Sequence, residues 1–266
     1  MNKSMTIISI ATLEESYKKK YGKLKNNIFN NYEILKYETL NSTMDIVKKN
    51  ISIKKNLNQI VMADFQKKGH GRFNRKWYSV KKKNLLASFP IIANKDLSPY
   101  IPIILSLSIF QTLKKFVDNN SDLKIKWPND ILLNSKKISG MIIESNIQKN
   151  DIFINFGVGI NINSNLNDLS GKGFDATSLL IEQSKNFNID EVLYFLILNI
   201  SNNLNYSSDK FIEWKKNLFL PKKEIYLNEN RDIKFTISDV DEFGNLIVYG
   251  NNKEFKLSAD EISFQD

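Results

Sequence analysis

The chain has 266 residues, 42% hydrophobic and 25% charged, which is enough apolar material for a sizeable core and enough length for one large domain or two smaller ones. It contains no cysteine and a single histidine, which excludes disulfides, thiolate nucleophiles, iron–sulfur clusters and a self-contained multi-histidine metal centre. The net charge of +9 is uneven, because residues 220–266 carry −4 and residues 1–219 carry +13.

Taken in order, MNKSMTIISI is too short and poorly flanked for a secretory signal, and residues 1–30 read as a lead-in. Thr12-Leu13-Glu14-Glu15 fits a capping box that starts a brief helix, with Gly22 ending it. Residues 31–219 read as one alternating unit. Its strand candidates are NYEILKYE, IVMADFQ, NLLASFPII, LKIKW, DILL, ISGMIIES and DIFINFGVGINI, all rich in Ile, Val and Phe. Helices are expected at 42–50, at 99–118 and, as one long element, near 190–217. The second starts at prolines and is apolar on most sides, the pattern of a buried helix; its IPIILSLSIF stretch falls well short of a membrane span. ILLNSKKISGMIIES reads as a hairpin turning near Asn134-Ser135, so several strands lack crossover helices and the sheet is mixed. After Pro221 only short strands remain (EIYLN, IKFTISDV, NLIVYG, EFKLS and EISF), with a turn at 241–245, which points to a small barrel over 220–266. The expected class is therefore α+β in a cytoplasmic protein without a membrane span.

Chemistry concentrates in four places. Seven of the ten glycines fall between residues 69 and 173, although glycine is costly in ordered structure unless the backbone bends unusually or approaches something closely. Gly157 and Gly159 interrupt a strongly apolar strand, as expected where backbone lies against a flat ligand. The segment Gly69-His70-Gly71-Arg72-Phe73-Asn74-Arg75-Lys76-Trp77 combines a pliable backbone with two guanidinium forks suited to carboxylate and phosphate oxygens. It is the centre of a run with eight Lys/Arg and no acid between Gln66 and Lys83, compatible with a solvated loop or with nucleic acid as well as with a phosphorylated ligand. It is not a Walker A sequence. Lys126-Trp127-Pro128-Asn129-Asp130 is an abrupt polar ending to an apolar strand, followed by Lys136-Lys137-Ile138-Ser139-Gly140. A lysine there suits charge building on an attacking carboxylate and its phosphate acceptor, and Asp130 or Asn129 suits magnesium or a nucleotide sugar.

Together these segments resemble the biotin–protein ligase family, in the form without an N-terminal DNA-binding domain. The family's Gly-Arg-Gly-Arg-x-Gly-Arg-x-Trp loop corresponds to GHGRFNRKW at 69–77, and its Lys-Trp-Pro-Asn-Asp stands intact at 126–130. Lys137 and Gly140, then Gly157, Gly159 and Asn161, then Ala-Thr-Ser-Leu at 176–179 and Asn41-Ser42-Thr43-Met44 supply its remaining motifs. The resemblance spans roughly residues 32–266. It implies the class II synthetase-like biotin/lipoate ligase fold with an SH3-like C-terminal barrel. It also implies an ATP- and Mg2+-dependent enzyme that makes biotinyl-5′-AMP and transfers biotin to a lysine of a biotin carboxyl carrier protein, as a monomer or homodimer with no specific DNA.

By the same resemblance Ser42, Thr43, Gln66, Gly69, His70, Arg72, Lys137, Gly140, Gly157 and Gly159 line the biotin and acyl-phosphate site. Asn161 and Ala176–Ser178 lie toward the adenylate, and Gly71, Trp77, Lys126 and Asn129 complete the binding set. Lys137 is the expected contact to carboxylate and phosphate, Arg72 and Arg75 hold phosphate, and Asp130 is the metal ligand. A lipoate- or octanoate-using relative and a binding module that has lost adenylation are the competing readings. Three positions depart from the family: His70 for arginine, Asn74 for glycine and Met44 for asparagine. A histidine keeps a donor but is largely uncharged at neutral pH, so weaker retention of an adenylate is expected.

Overall fold

In a computed structural model, residues 5–21, 28–149, 151–171, 175–220, 224–227, 230–250 and 252–259 are described. The chain opens with β1 (Met5–Ser9) and α1 (Ile10–Tyr21). Then come β2 (Glu33–Tyr37), α2 (Thr43–Ser52), β3 (Gln59–Ala63), β4 (Asn84–Ala93) and α3 (Ile101–Lys114). A run of strands follows: β5 (Leu123–Lys126), β6 (Asp130–Leu133), β7 (Lys136–Gln148) and β8 (Asp151–Asn161). Short helices α4 (Leu166–Leu169) and α5 (Leu179–Gln183) lead to α6 (Ile189–Asn203), α7 (Ser208–Lys216) and β9 (Leu218–Phe219). The chain ends in β10 (Glu224–Leu227), β11 (Asn230–Val240), β12 (Leu246–Gly250) and β13 (Lys253–Leu257).

The first nine strands form one mixed sheet in the order β1-β2-β3-β4-β8-β7-β6-β5-β9, with β2–β3 and β5–β9 parallel and the other pairs antiparallel. This is the α+β arrangement expected from strands that follow one another without crossovers. The β6–β7 hairpin turns at Asn134 and Ser135, both at positive φ (50° and 65°), as a tight two-residue connection requires. One face of the sheet is covered by α1, α3 and α6 in the main apolar core, where α3 is buried nearly all round. Its Ser106, Ser108 and Thr112 hydroxyls donate to carbonyls in the preceding turn, so the polar groups of this buried helix are satisfied. The opposite face carries α2, seated through Val47 and Ile51 on Val61, Ala63 and Phe153. Beside α2 that face is left open, which is where the site forms.

Three expectations change. Residues 5–9 form a strand paired with β2, and the helix begins at Ile10, two residues before the expected box, with Ser9 Oγ accepting from the Thr12 amide at 3.0 Å. The expected helix end at Gly22 lies outside the described residues. The single helix expected near 190–217 is two, because Asn203 turns inward to donate to Ser108 Oγ and Gln111 Oε1, both at 2.9 Å. Tyr206 then stacks on Tyr100 with ring centroids 4.3 Å apart before Ser207 starts α7. Burial pushes the Tyr206 hydroxyl up to about 12.

The C-terminal strands form a separate antiparallel sheet, β10-β11-β12-β13. The strand expected at 261–264, which would close a barrel, lies outside the described residues. The sheet's apolar side (Phe235, Val240, Leu246, Val248, Leu257) joins the main core. Its 241–245 turn is held by Asp241 Oδ1, which accepts from the amides of Phe243 and Asn245 at 3.0 and 2.9 Å. No helix of the described residues is long and apolar enough to cross a membrane.

Candidate active site

Antiparallel pairing puts Asp130 (β6), Gly140 (β7), Gly159 (β8) and Leu86 (β4) in one row across the sheet. Gly157, Ile142 and Ser88 form the next row on the same face. These glycines are required by close approach. A Cβ at Gly159 would stand 2.4 Å from the Trp77 ring, and one at Gly157 would stand 2.5 Å from Met44 Sδ. A Cβ at Gly140 would lie 3.1–3.2 Å from Asp130 Oδ1, Trp77 and Lys137 Cε together. The flat surface anticipated at 157–159 therefore exists, but its immediate neighbours are the protein's own indole and thioether, which wall a cleft over the row.

Lys137 owes its place to a β-bulge: Ile131 opposes Ser139 while Leu132 opposes Lys137, so one extra residue re-aims the strand. Segment 175–177 then clamps Lys137, whose amide donates to Asp175 O and whose carbonyl accepts from Thr177, both at 2.9 Å. The ammonium pairs with Asp130 Oδ1 at 2.7 Å and sits 5.7 Å from the Trp77 ring. Across the cleft, the start of α2 presents a hydroxyl–amide cluster. The Thr43 amide and hydroxyl both donate to Gln66 Oε1 (2.7 and 3.0 Å), and Thr43 Oγ1 lies 2.7 Å from Ser88 Oγ. Ser88 was not anticipated; its signal was a lone hydroxyl among the apolar residues of NLLASFPII.

The cleft is lined by Ser42, Thr43, Gln66, His70, Gly71, Trp77, Asn129, Lys137, Gly140, Gly157 and Gly159, all expected, and by Met44, Ala87, Met141, Ile142 and Val158. Gly69 lies behind it, where a Cβ would meet the Gln66 amide at 2.9 Å. Asn129 braces the turn, donating through Nδ2 to Met141 O at 2.8 Å. Lys126 ends β5 at the edge of this turn. Trp127 is buried, and its Nε1 donates to Gly244 O of the C-terminal sheet at 2.8 Å.

Other expected ligand contacts are committed elsewhere. The 69–77 loop is a small hairpin, with the Gly71 amide donating to Arg75 O and the Trp77 amide to Gly69 O. Its tip residues Phe73 and Asn74 both have positive φ (54° and 56°); Asn74 thus holds a backbone conformation that glycine adopts freely. Arg72 and Arg75 do not line the cleft: Arg72 donates to Ala259 O, and Arg75 is exposed beside the tip. Asn161 accepts from Asn84 Nδ2 and donates to Thr177 O, both at 3.0 Å, and Ser178 Oγ caps α5, accepting from Ile181 N at 3.1 Å. Both residues therefore fix the 175–178 segment, with Ala176 bridged to Lys137, rather than facing a ligand directly. Asp130, expected as a metal ligand, is ion-paired with Lys137, and among the described residues no group of three or more His, Cys, Asp or Glu could hold a metal. These residues do not fit a resident metal centre.

Comparison with known proteins agrees with this geometry. The family model described as Biotin/lipoate A/B protein ligase family matches residues 37–161. Biotin--protein ligase 2 of Arabidopsis thaliana is 33% identical over 130 residues, covering 47% of this chain and 39% of that protein. Biotin--protein ligase of Schizosaccharomyces pombe is 25% identical over 263 residues, covering 88% and 40%. The chain thus spans about two-fifths of the length of these curated relatives. The biotin protein ligase from Aquifex aeolicus, solved in complex with biotin and ATP, superposes with a TM-score of 0.68 at 24% identity, covering 86% of this chain and 97% of that one, and so shares the fold. The segment that carries the cleft, the Lys137 hairpin and the glycine rows thus matches the biotin/lipoate A/B protein ligase family model, and the chain fits a member of the biotin protein ligase family.

Proposed function

We propose that the chain activates biotin with ATP and transfers it to a lysine of a biotin carboxyl carrier protein. The observation that carries this reading is the bulge-set Lys137, aimed across Gly140 and Trp77 into a cleft whose other side is the Thr43–Gln66–Ser88 cluster. A carboxylated ligand with a polar head fits such a cleft, its carboxylate at the ammonium and its head at the hydroxyls. Similarity to biotin protein ligases, one solved with biotin and ATP, supports the choice of ligand.

In the first step a biotin carboxylate oxygen bonds to the α-phosphorus of ATP, the α–β phosphoanhydride breaks, and pyrophosphate leaves with its electron pair. In the second, a carrier lysine amine bonds to the acyl carbon, the acyl–phosphate bond breaks, and AMP leaves as the amine loses a proton. The protein's share is positioning and charge stabilisation by Lys137, with Trp77 shielding the reacting carbon from water. Any magnesium travels with the nucleotide phosphates rather than in a protein cage. Asp130 holds the ammonium in place until the anionic ligand shares it, and Arg72 and Arg75 reach phosphate only by leaving their present positions.

Exchange of labelled pyrophosphate into ATP tests the first step. Exchange that depends on biotin is the expected result. Exchange with lipoate or octanoate but not with biotin would overturn the choice of substrate.

A further inference from the structure

The glycine column of β8 does not end at Gly157. Side chains alternate along the strand, so Asn155 is the next residue facing the same side, paired with Glu144 of β7 and Pro90 of β4. Asn155 is 2% exposed. Its Nδ2 donates to Met44 O at 3.1 Å and lies 3.5 Å from Glu144 Oε2, which fixes the orientation of the amide. Its Oδ1 is buried with no hydrogen-bond partner among the described residues. Buried carbonyl oxygens without donors are uncommon and call for an explanation. Asparagine is also a poor strand residue, so its presence in INFGVGIN is not explained by β-propensity.

Met44 supplies the other half of the observation. Its thioether fills the space over Gly157, 2.5 Å from where a Cβ would stand, and lines the cleft there, while its carbonyl holds the Asn155 amide. Methionine is flexible and unbranched, able to vacate such a position without moving the helix that bears it.

We propose that Met44 is a movable plug and that Asn155 Oδ1 is the acceptor it hides, taking an N–H of the ligand's head when the cleft is occupied. This rests on the biotin reading above. Biotin's cyclic urea carries two N–H donors and one carbonyl acceptor, the carbonyl suiting the hydroxyls of Thr43 and Ser88. A dithiolane or an alkyl chain offers no N–H, so Asn155 would leave the pairing unmade for lipoate or octanoate. Asn155 is then a specificity-determining residue at the far end of the cleft from Lys137.

The test compares wild type with Asn155→Leu in biotin-dependent pyrophosphate exchange, using biotin and a biotin methylated on a urea nitrogen. For N155L the KM for biotin should rise about tenfold, in keeping with the loss of a buried hydrogen bond, while kcat and the KM for ATP stay within a few-fold. The preference for biotin over the methylated analogue should shrink in the variant by the same factor. A structural role alone would shift kcat and both KM values together and leave that preference unchanged, which would overturn the proposal. Should N155L not fold, Met44→Ile serves instead: its branched side chain is stiff, so it should raise the KM for biotin and not that for ATP, and an unchanged biotin KM would overturn the plug. Wild-type exchange with lipoate but not biotin would fail the underlying function; biotin exchange unaffected by N155L would fail only this inference.

Discussion

Lys137 Nζ lies 2.7 Å from Asp130 Oδ1, an ion pair across the β6–β7 hairpin with both side chains mostly shielded from solvent. The pair orients the ammonium toward Gly140 and lowers its net charge until an anionic ligand arrives. Lys137→Met should lower kcat/KM for biotin activation by about 10²–10³-fold, the scale of losing one preorganised charge donor. Asp130→Asn keeps the shape but frees the ammonium, so a milder loss is expected. Initial rates of pyrophosphate exchange separate the two, and equal losses would show that Asp130 does more than orient.

Gly157 and Gly159 should respond differently to alanine. At Gly159 the new Cβ meets an aromatic ring at 2.4 Å, whereas at Gly157 it meets first the far end of a flexible methionine at 2.5 Å. Gly159→Ala should displace Trp77, change tryptophan fluorescence and cost about 1–3 kcal/mol, as overpacking does. Gly157→Ala, whose Cβ would also meet Ile142 Cγ2 at 2.9 Å, should lower the unfolding temperature less than Gly159→Ala does while weakening ligand binding. Thermal melts with and without biotin read both effects.

Trp127→Phe should loosen the C-terminal sheet. The indole donates to Gly244 O, and removing that bond should cost about 0.5–1.5 kcal/mol. Hydrogen exchange should quicken first in the 241–245 turn and β12. Uniform loss of protection across the large sheet would contradict this local role.

His70 lines the cleft, its Nδ1 3.3 Å from Lys68 O. Restoring the family's residue with His70→Arg should slow escape of the acyl-adenylate, measured as labelled intermediate retained on gel filtration. Asn74→Gly should not, because Asn74 already adopts the left-handed backbone at the exposed hairpin tip. Retention unchanged in H70R would remove the link between His70 and the intermediate.

Most of the sheet was legible because its strands are apolar runs bounded by turn residues, and Asn134-Ser135 marked its hairpin correctly. The break between α6 and α7 was present as the polar run SNNLNYSS, but the strong apolar periodicity on either side obscured it. Strand β1 was missed because an edge strand buries little and so carries a weak pattern. Motif spacing pointed to the polar and glycine residues that line the cleft from Ser42 to Gly159, but not to the buried Ser88 and Asn155, each a single polar residue inside an apolar strand. The positions of Arg72 and Trp127 depend on contacts with residues 244 and 259, more than a hundred positions away, and no local pattern records such contacts.

The most direct test of the function is the intact mass of a biotin carboxyl carrier domain incubated with this protein, biotin and Mg-ATP. The expected result is a gain of one biotinyl group on the carrier lysine, dependent on ATP and abolished by Lys137→Met. A carrier left unmodified by a folded, biotin-binding protein, or modified equally by K137M, would contradict it.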